Sequence, residues 1–232
     1  MNNFQKLGGV AALIQALAYA IGFVGLLTLF TEYFVGDELD AAGRVAFVRD
    51  HLAVMQAWHL VLYVVFGVAL VILALALHER LKGGAPSMMQ VATAFGLLWA
   101  GLVLASGMIS VVGMGAVSDL HGSDPELAAA AWQAIEIVAN GIGGGVEIVG
   151  GLWLLLVSWS ALRCGGLPRV LSTIGVVSGV AGVLTVAPPL EALGAAFGLG
   201  QLVWFVWVGA VMLRHGQNVG PSRDAQAPAL AD

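Results

Sequence analysis

The stretch "AWQAIEIVANGIGGGVEIVGGLWLLLVSWSALR", Ala131 to Arg163, holds two carboxyls and a carboxamide in its apolar first half: Glu136, Asn140 and Glu147. In a helix turning about 100° and rising about 1.5 Å per residue, Asn140 lies about 40° around the axis from Glu136. Glu147 returns to within about 20° of Glu136, about 16 Å further along. One face thus carries two carboxyls with an amide between them, and Gln133 extends it. Carboxyls on such a face can take up a proton or hold a cation. The rest of the stretch is apolar enough to cross a bilayer, and that makes the acids costly.

Counting back about 20 residues from Arg163 places Glu147 in the outer third of a hydrocarbon core. Glu136 and Asn140 then fall at or beyond the outer interface. A charged acid at mid-span costs about 2.5–3.5 kcal/mol on insertion scales. No Lys or Arg lies within the apolar runs to offset it. Glu147 is therefore expected to be protonated, hydrated in a cavity, or bound to something positive. His59, Tyr63, Ser106, Ser110 and Thr185 count to a similar depth and are expected to complete a polar pocket opening outward.

The glycines of "GIGGG", Gly141 to Gly145, each cost a helix about 1 kcal/mol relative to alanine. Close helix packing is the favoured explanation, because small residues let membrane helices approach. The same spacing recurs at Gly175 to Gly179 and at Gly194 to Gly198. The alternative is a locally broken helix lining a site.

Other chemistries find little support. "GIGGGV" lacks the third glycine and the strand context of a dinucleotide loop. His59 and His78 sit nineteen residues apart on one helix, about 28 Å, near opposite membrane faces, which disfavours a haem. A metal site from His51, His59, His121 and Glu136 has no tight ligand spacing. The single cysteine, Cys164, forms no internal disulfide and has no obvious activating base. No cofactor and no catalytic residue are implied. A net charge of −5 without a basic run argues against nucleic acid as a partner.

These residues must be positioned by membrane helices. Of 232 residues, 59% are hydrophobic and only 10% charged, against about a quarter charged in soluble domains. The apolar residues form six runs, about 8–30, 57–78, 88–117, 135–162, 170–187 and 190–213, followed by a polar tail, 216–232, expected to be disordered. Runs this long in lipid are helices, so the expected fold is all-α, a polytopic six-helix transmembrane bundle. Asp124 and Pro125 suit the cap and first turn of the fourth helix.

Between runs one and two, Val45, Val48, Leu52 and Met55 recur at helical spacing, which suggests an amphipathic segment on the outer surface, packed over the bundle. Lys6, Arg80, Lys82, Arg163, Arg169, Arg214 and Arg223 fall on one side and Arg44 and Arg49 on the other. By the positive-inside rule both termini are expected to be cytoplasmic. The opposite side is acidic, with Glu32, Asp37, Glu38, Asp40, Asp50, Asp119, Asp124, Glu126 and Glu191. Trp58, Trp132 and Trp159 fall where interfacial anchors belong.

With these runs laid out, the chain resembles a bacterial family of multi-pass membrane proteins catalogued as a domain of unknown function. The resemblance rests on "LHERL", the "GGLP" turn and the "PPLE" turn, and on the apolar runs that flank them. It covers nearly the full length and implies about six helices and residence in a bacterial inner membrane. It implies no activity and no site residues.

The expected function is an outward-facing intramembrane site centred on Glu147, which would bind a proton, a small cation or a small cationic ligand, for transport. Glu136, Asn140, His59, Tyr63 and Ser106 are its expected companions. A non-catalytic membrane subunit or sensor that binds partner proteins is the alternative, and a membrane-embedded metal enzyme comes third. The lipid bilayer is the expected surrounding, and the small-residue helix faces would allow a homo-oligomer.

Overall fold

A computed structural model describes residues 2–36, 39–144, 147–190 and 192–215. Asp37, Glu38, Gly145, Glu191 and the tail 216–232 lie outside the described residues. All regular structure among the described residues is helical. The first span is α1 (Asn2–Thr28), followed by a short turn of helix, α2 (Thr31–Phe34), and by α3 (Ala41–Asp50). Span two runs through α4 (Leu52–His59), a wide π turn at Leu60–Val65, and α5 (Phe66–Leu81). Span three is α6 (Pro86–His121). Span four comprises α7 (Pro125–Ala139), a π turn at Asn140–Gly144, and α8 (Ile148–Cys164). Span five is α9 (Arg169–Leu184) and span six α10 (Leu193–His215).

Five of these, α1, the run Leu52–Leu81, α6, the run Pro125–Cys164 and α10, are long and apolar enough to cross a membrane. The fifth span, α9, is apolar but only 16 residues long. The expected run 170–187 overshoots it, because Pro188 and Pro189 lie in a separate short 3-10 turn. The helices fit a multi-pass membrane protein.

The spans follow one another around a ring in chain order. α1 packs on α5, α5 on α6, α6 on α8, α8 on α9, α9 on α10, and α10 returns to α1. The start of α1 and the end of α10 therefore meet at one end of the bundle, where Gly8 abuts Met212 and Gly9 abuts Leu213. The centre of the ring is aromatic. Trp99 and Trp153 have ring centroids 5.6 Å apart, Trp153 and Trp204 5.7 Å, and Phe66 and Phe205 5.9 Å. Large apolar side chains such as Leu17, Val112, Ile137 and Val177 face outward, over half exposed, as a lipid-facing surface requires.

The opposite end is capped. Asp40 starts α3 by accepting a hydrogen bond from the Gly43 amide at 2.7 Å. α3 then buries Val45 and Val48 against Met114, Val117 and Trp132 of α6 and α7. The amphipathic segment is thus shorter than its sequence pattern: the chain turns at His51, and Leu52 and Met55 already belong to span two. Trp132 is also no free interfacial anchor, being 4% exposed within this second core. The start of α7 does follow the sequence, with Pro125 in the first turn and the Asp124 carboxylate accepting from the Leu127 amide at 3.0 Å.

Two of the sequence motifs meet at the other end. Arg80 of "LHERL" donates through Nε to the Gly166 carbonyl of "GGLP" at 3.0 Å. Gly165 ends α8 at φ 71°, a left-handed cap that favours glycine.

Candidate functional site

Span four is a broken helix. Its first part ends at Ala139 and passes through the wide turn, where Gly143 takes φ 152° and ψ 7°. The second part starts at Ile148, with Glu147 as its cap residue. The favoured reading of "GIGGG" as a packing motif is therefore corrected: Gly143 is used for a backbone conformation that a side chain would strain. Tight packing does hold elsewhere. A Cβ on Gly151 would come within 2.8 Å of the Gly179 carbonyl, so α8 and α9 touch backbone to backbone.

Neighbouring hydroxyls hold the broken ends. Ser106 of α6 donates to the Ala139 carbonyl at 2.9 Å. Thr185, at the end of α9, accepts from the Glu147 amide at 3.2 Å and donates to the Gly182 carbonyl at 2.7 Å. Backbone groups freed by a break in hydrocarbon need such partners, since no bulk water reaches them. Ser106 and Thr185, expected as pocket-lining groups, are committed to backbone instead, and neither lines the cavities described next.

A chamber of about 130 Å³ opens beside the break. Gly143 and Glu147 form one wall, Trp99 and Val103 of α6 a second, Leu62, Tyr63 and Phe66 of span two a third, and Ala18 and Tyr19 of α1 the last. Leu62 and Tyr63 come from the π turn of span two, an irregularity that recurs at functional sites. Two distortions in two spans thus flank one cavity. The Glu147 side chain has no hydrogen bond or ion pair among the described residues, and the residue keeps part of its surface accessible. Tyr19 donates its hydroxyl proton to Gln201 Oε1 at 3.0 Å, which ties this wall to α10.

Nearer the capped end lies a vestibule of about 350 Å³, with Tyr63 a wall of both spaces. Its polar lining includes His59, Ser110, Asn140, Glu136, Tyr33 and Arg44. In spans one, two and three its residues (Leu26, His59, Ser110) lie nearer the capped end than the chamber's (Tyr19, Phe66, Trp99), so vestibule, chamber and aromatic core succeed one another along the bundle. His59 is buried and stacks on Tyr63 with centroids 5.6 Å apart. Its Nδ1–H must donate to the Met55 carbonyl at 2.9 Å, because a carbonyl only accepts. In the neutral ring Nε2 is then left as an acceptor.

Glu136 has partners. The Tyr33 hydroxyl donates to its Oε1 at 2.5 Å, Arg44 Nη1 approaches the same oxygen at 3.4 Å, and Trp132 Nε1–H donates to Tyr33 at 2.7 Å. Burial, and then this hydrogen bond to Glu136, push the Tyr33 hydroxyl well above its ordinary pKa. The single polar face inferred for Glu136, Asn140 and Glu147 is split by the break: Glu136 and Asn140 line the vestibule, and Glu147 lines the chamber.

Sequence reasoning missed Tyr19, Phe66 and Trp99 as chamber walls, since aromatics in apolar runs read as core. It also missed Tyr33 and Arg44, whose contacts with Glu136 join positions about a hundred residues apart. Arg44 had one visible signal, as one of two cations on the acidic side. Among the described residues, no group of three or more His, Cys, Asp or Glu side chains is placed to hold a metal.

Compared with known families, residues 7–209 match the family described as Domain of unknown function (DUF4386). No curated protein and no solved structure matches the chain.

Proposed function

The chain belongs to the DUF4386 family, and because that description assigns no activity, we propose one from the geometry: an intramembrane site centred on Glu147 that takes up a proton or small cation for transport. The observation that carries it is a carboxyl without a protein partner among the described residues, lining a chamber at a break in span four. A buried acid on such terms is costly unless it binds something positive. Broken membrane helices line ion and substrate sites for a physical reason, since unwound backbone supplies polar groups where lipid offers none.

The Lys and Arg distribution supports a capped end facing away from the cytoplasm of a bacterial inner membrane. The vestibule is then the outward approach, with His59 and Asn140 as polar surfaces along it and Tyr63 between the two spaces. Glu136, held by Tyr33 and Arg44, shapes the mouth. Glu147 is the group that binds.

The test uses the purified chain in proteoliposomes with a pH-sensitive dye inside. Wild type is expected to pass protons or exchange a cation for protons. Glu147→Gln is expected to abolish the flux while keeping its helical circular dichroism. In infrared difference spectra, wild type should show a carboxyl band that titrates and disappears in Glu147→Gln. Equal flux and identical spectra in the two proteins would overturn the proposal and leave a membrane scaffold or partner-binding subunit.

A further inference from the structure

We infer that the Glu147 chamber is a cage for a small organic ammonium ion, in which aromatic rings and a single carboxyl replace the ion's water shell. The inference rests on the binding role proposed for Glu147 and narrows what that site takes.

The composition of the walls carries it. Tyr19, Tyr63, Phe66 and Trp99 come from three spans, and among the described lining residues only Glu147 can bring a full negative charge. A bare metal ion would be poorly served. Calcium takes about six to eight oxygen ligands and magnesium a near-octahedral set, whereas this chamber offers one carboxyl and two phenol oxygens from its side chains. Ring faces attract alkylated ammonium ions, whose charge is spread over methyl groups that pack against carbon. One carboxyl then suffices for the single charge.

The rings are also arranged and fixed for this. Tyr19 and Phe66 meet at 74° with centroids 5.6 Å apart, and Phe66 and Trp99 at 74° and 5.5 Å. These are edge-to-face contacts, so each ring braces the next along the chamber. Trp99 is backed by Trp153 at 5.6 Å and Phe66 by Phe205 at 5.9 Å. A cage held by the core behind it needs little ordering when the ion arrives. Its size, about 130 Å³, is the volume of roughly four waters, which suits ions on the scale of methylammonium to tetramethylammonium better than the much larger tetrabutylammonium.

The experiment measures equilibrium binding of radiolabelled tetramethylammonium to the purified full chain in nanodiscs, at constant ionic strength. Saturable binding is expected, displaced by trimethylammonium but not by equal concentrations of Na⁺, K⁺ or tetrabutylammonium. Glu147→Gln should weaken it by at least about tenfold, the loss of a buried charge partner. Trp99→Leu should weaken it by about 2- to 30-fold, with part of the affinity restored in Trp99→Phe. If Trp99→Leu fails to fold, Tyr63→Leu reads the neighbouring wall. The cage is overturned by absence of saturable binding, by displacement with Na⁺ as effective as with tetramethylammonium, or by unchanged affinity in a folded ring-deleted variant. If Glu147-dependent proton flux persists in those cases, the binding role of Glu147 stands and only the ligand class fails. If flux and the infrared band are also insensitive to Glu147→Gln, the underlying reading fails with it.

Discussion

Tyr33 is the residue on which the capped end turns. It is 2% exposed, accepts from Trp132, donates to Glu136 and lies under the Arg44 guanidinium, 5.1 Å from its ring centre. Replacing it with Phe keeps the ring but leaves a buried indole N–H without its acceptor and Glu136 without its shortest hydrogen bond. The expected loss is about 1–3 kcal/mol. Arg44→Ala removes a longer contact, 3.4 Å, from a side chain that is 38% exposed, and should cost less than about 1 kcal/mol. Thermal unfolding of both variants in the same detergent checks the order. Arg44→Ala proving the more damaging would mean that the ion pair, and not the buried phenol, holds the cap.

Among the elements, span four separates what the sequence displays from what it conceals. The Asp124 cap and the first-turn Pro125 were legible, because capping chemistry is local. So were the apolar runs, because lipid imposes their length. The break was not, since a glycine costs a helix the same whether it serves packing or a bend. Only the folded backbone distinguishes Gly143, at φ 152°, from Gly141, around which an added Cβ would meet nothing within 4 Å. Gly143→Ala should therefore destabilise by about 1–3 kcal/mol. Gly141→Ala should be neutral or stabilising by up to about 1 kcal/mol. Gly151→Ala, pressed against the Val183 amide and the Gly179 carbonyl, should lose about 1–3 kcal/mol through overpacking. Unfolding midpoints of the three variants provide the comparison, and equal effects at Gly141 and Gly143 would remove the argument for a required bend. The chamber walls were hidden for a related reason: an aromatic residue at a core position and one facing a cavity have the same hydropathy.

For the molecule as a whole, the arrangement of charge and the ring of spans make one prediction about sidedness. In a Cys164→Ser background, a cysteine at Ser123, on the exposed turn between α6 and α7, should react with an impermeant maleimide in intact cells. A cysteine at Lys82, at the other end, should react only after the membrane is opened. The reverse pattern would turn the vestibule toward the cytoplasm and invert the direction of any uptake. Because α10 returns to α1, the start of α1 and the end of α10 are neighbours, and the order in which the helices are connected is partly interchangeable. A linker between the ends and a new opening near Gly83, where an added Cβ meets nothing, would give a circular permutant with each helix between its former neighbours. That opening lies at the same end of the bundle as the start of α1 and the end of α10, so insertion polarity would be kept, whereas cutting at Ser123 would ask the first helix to thread the bilayer in the opposite sense.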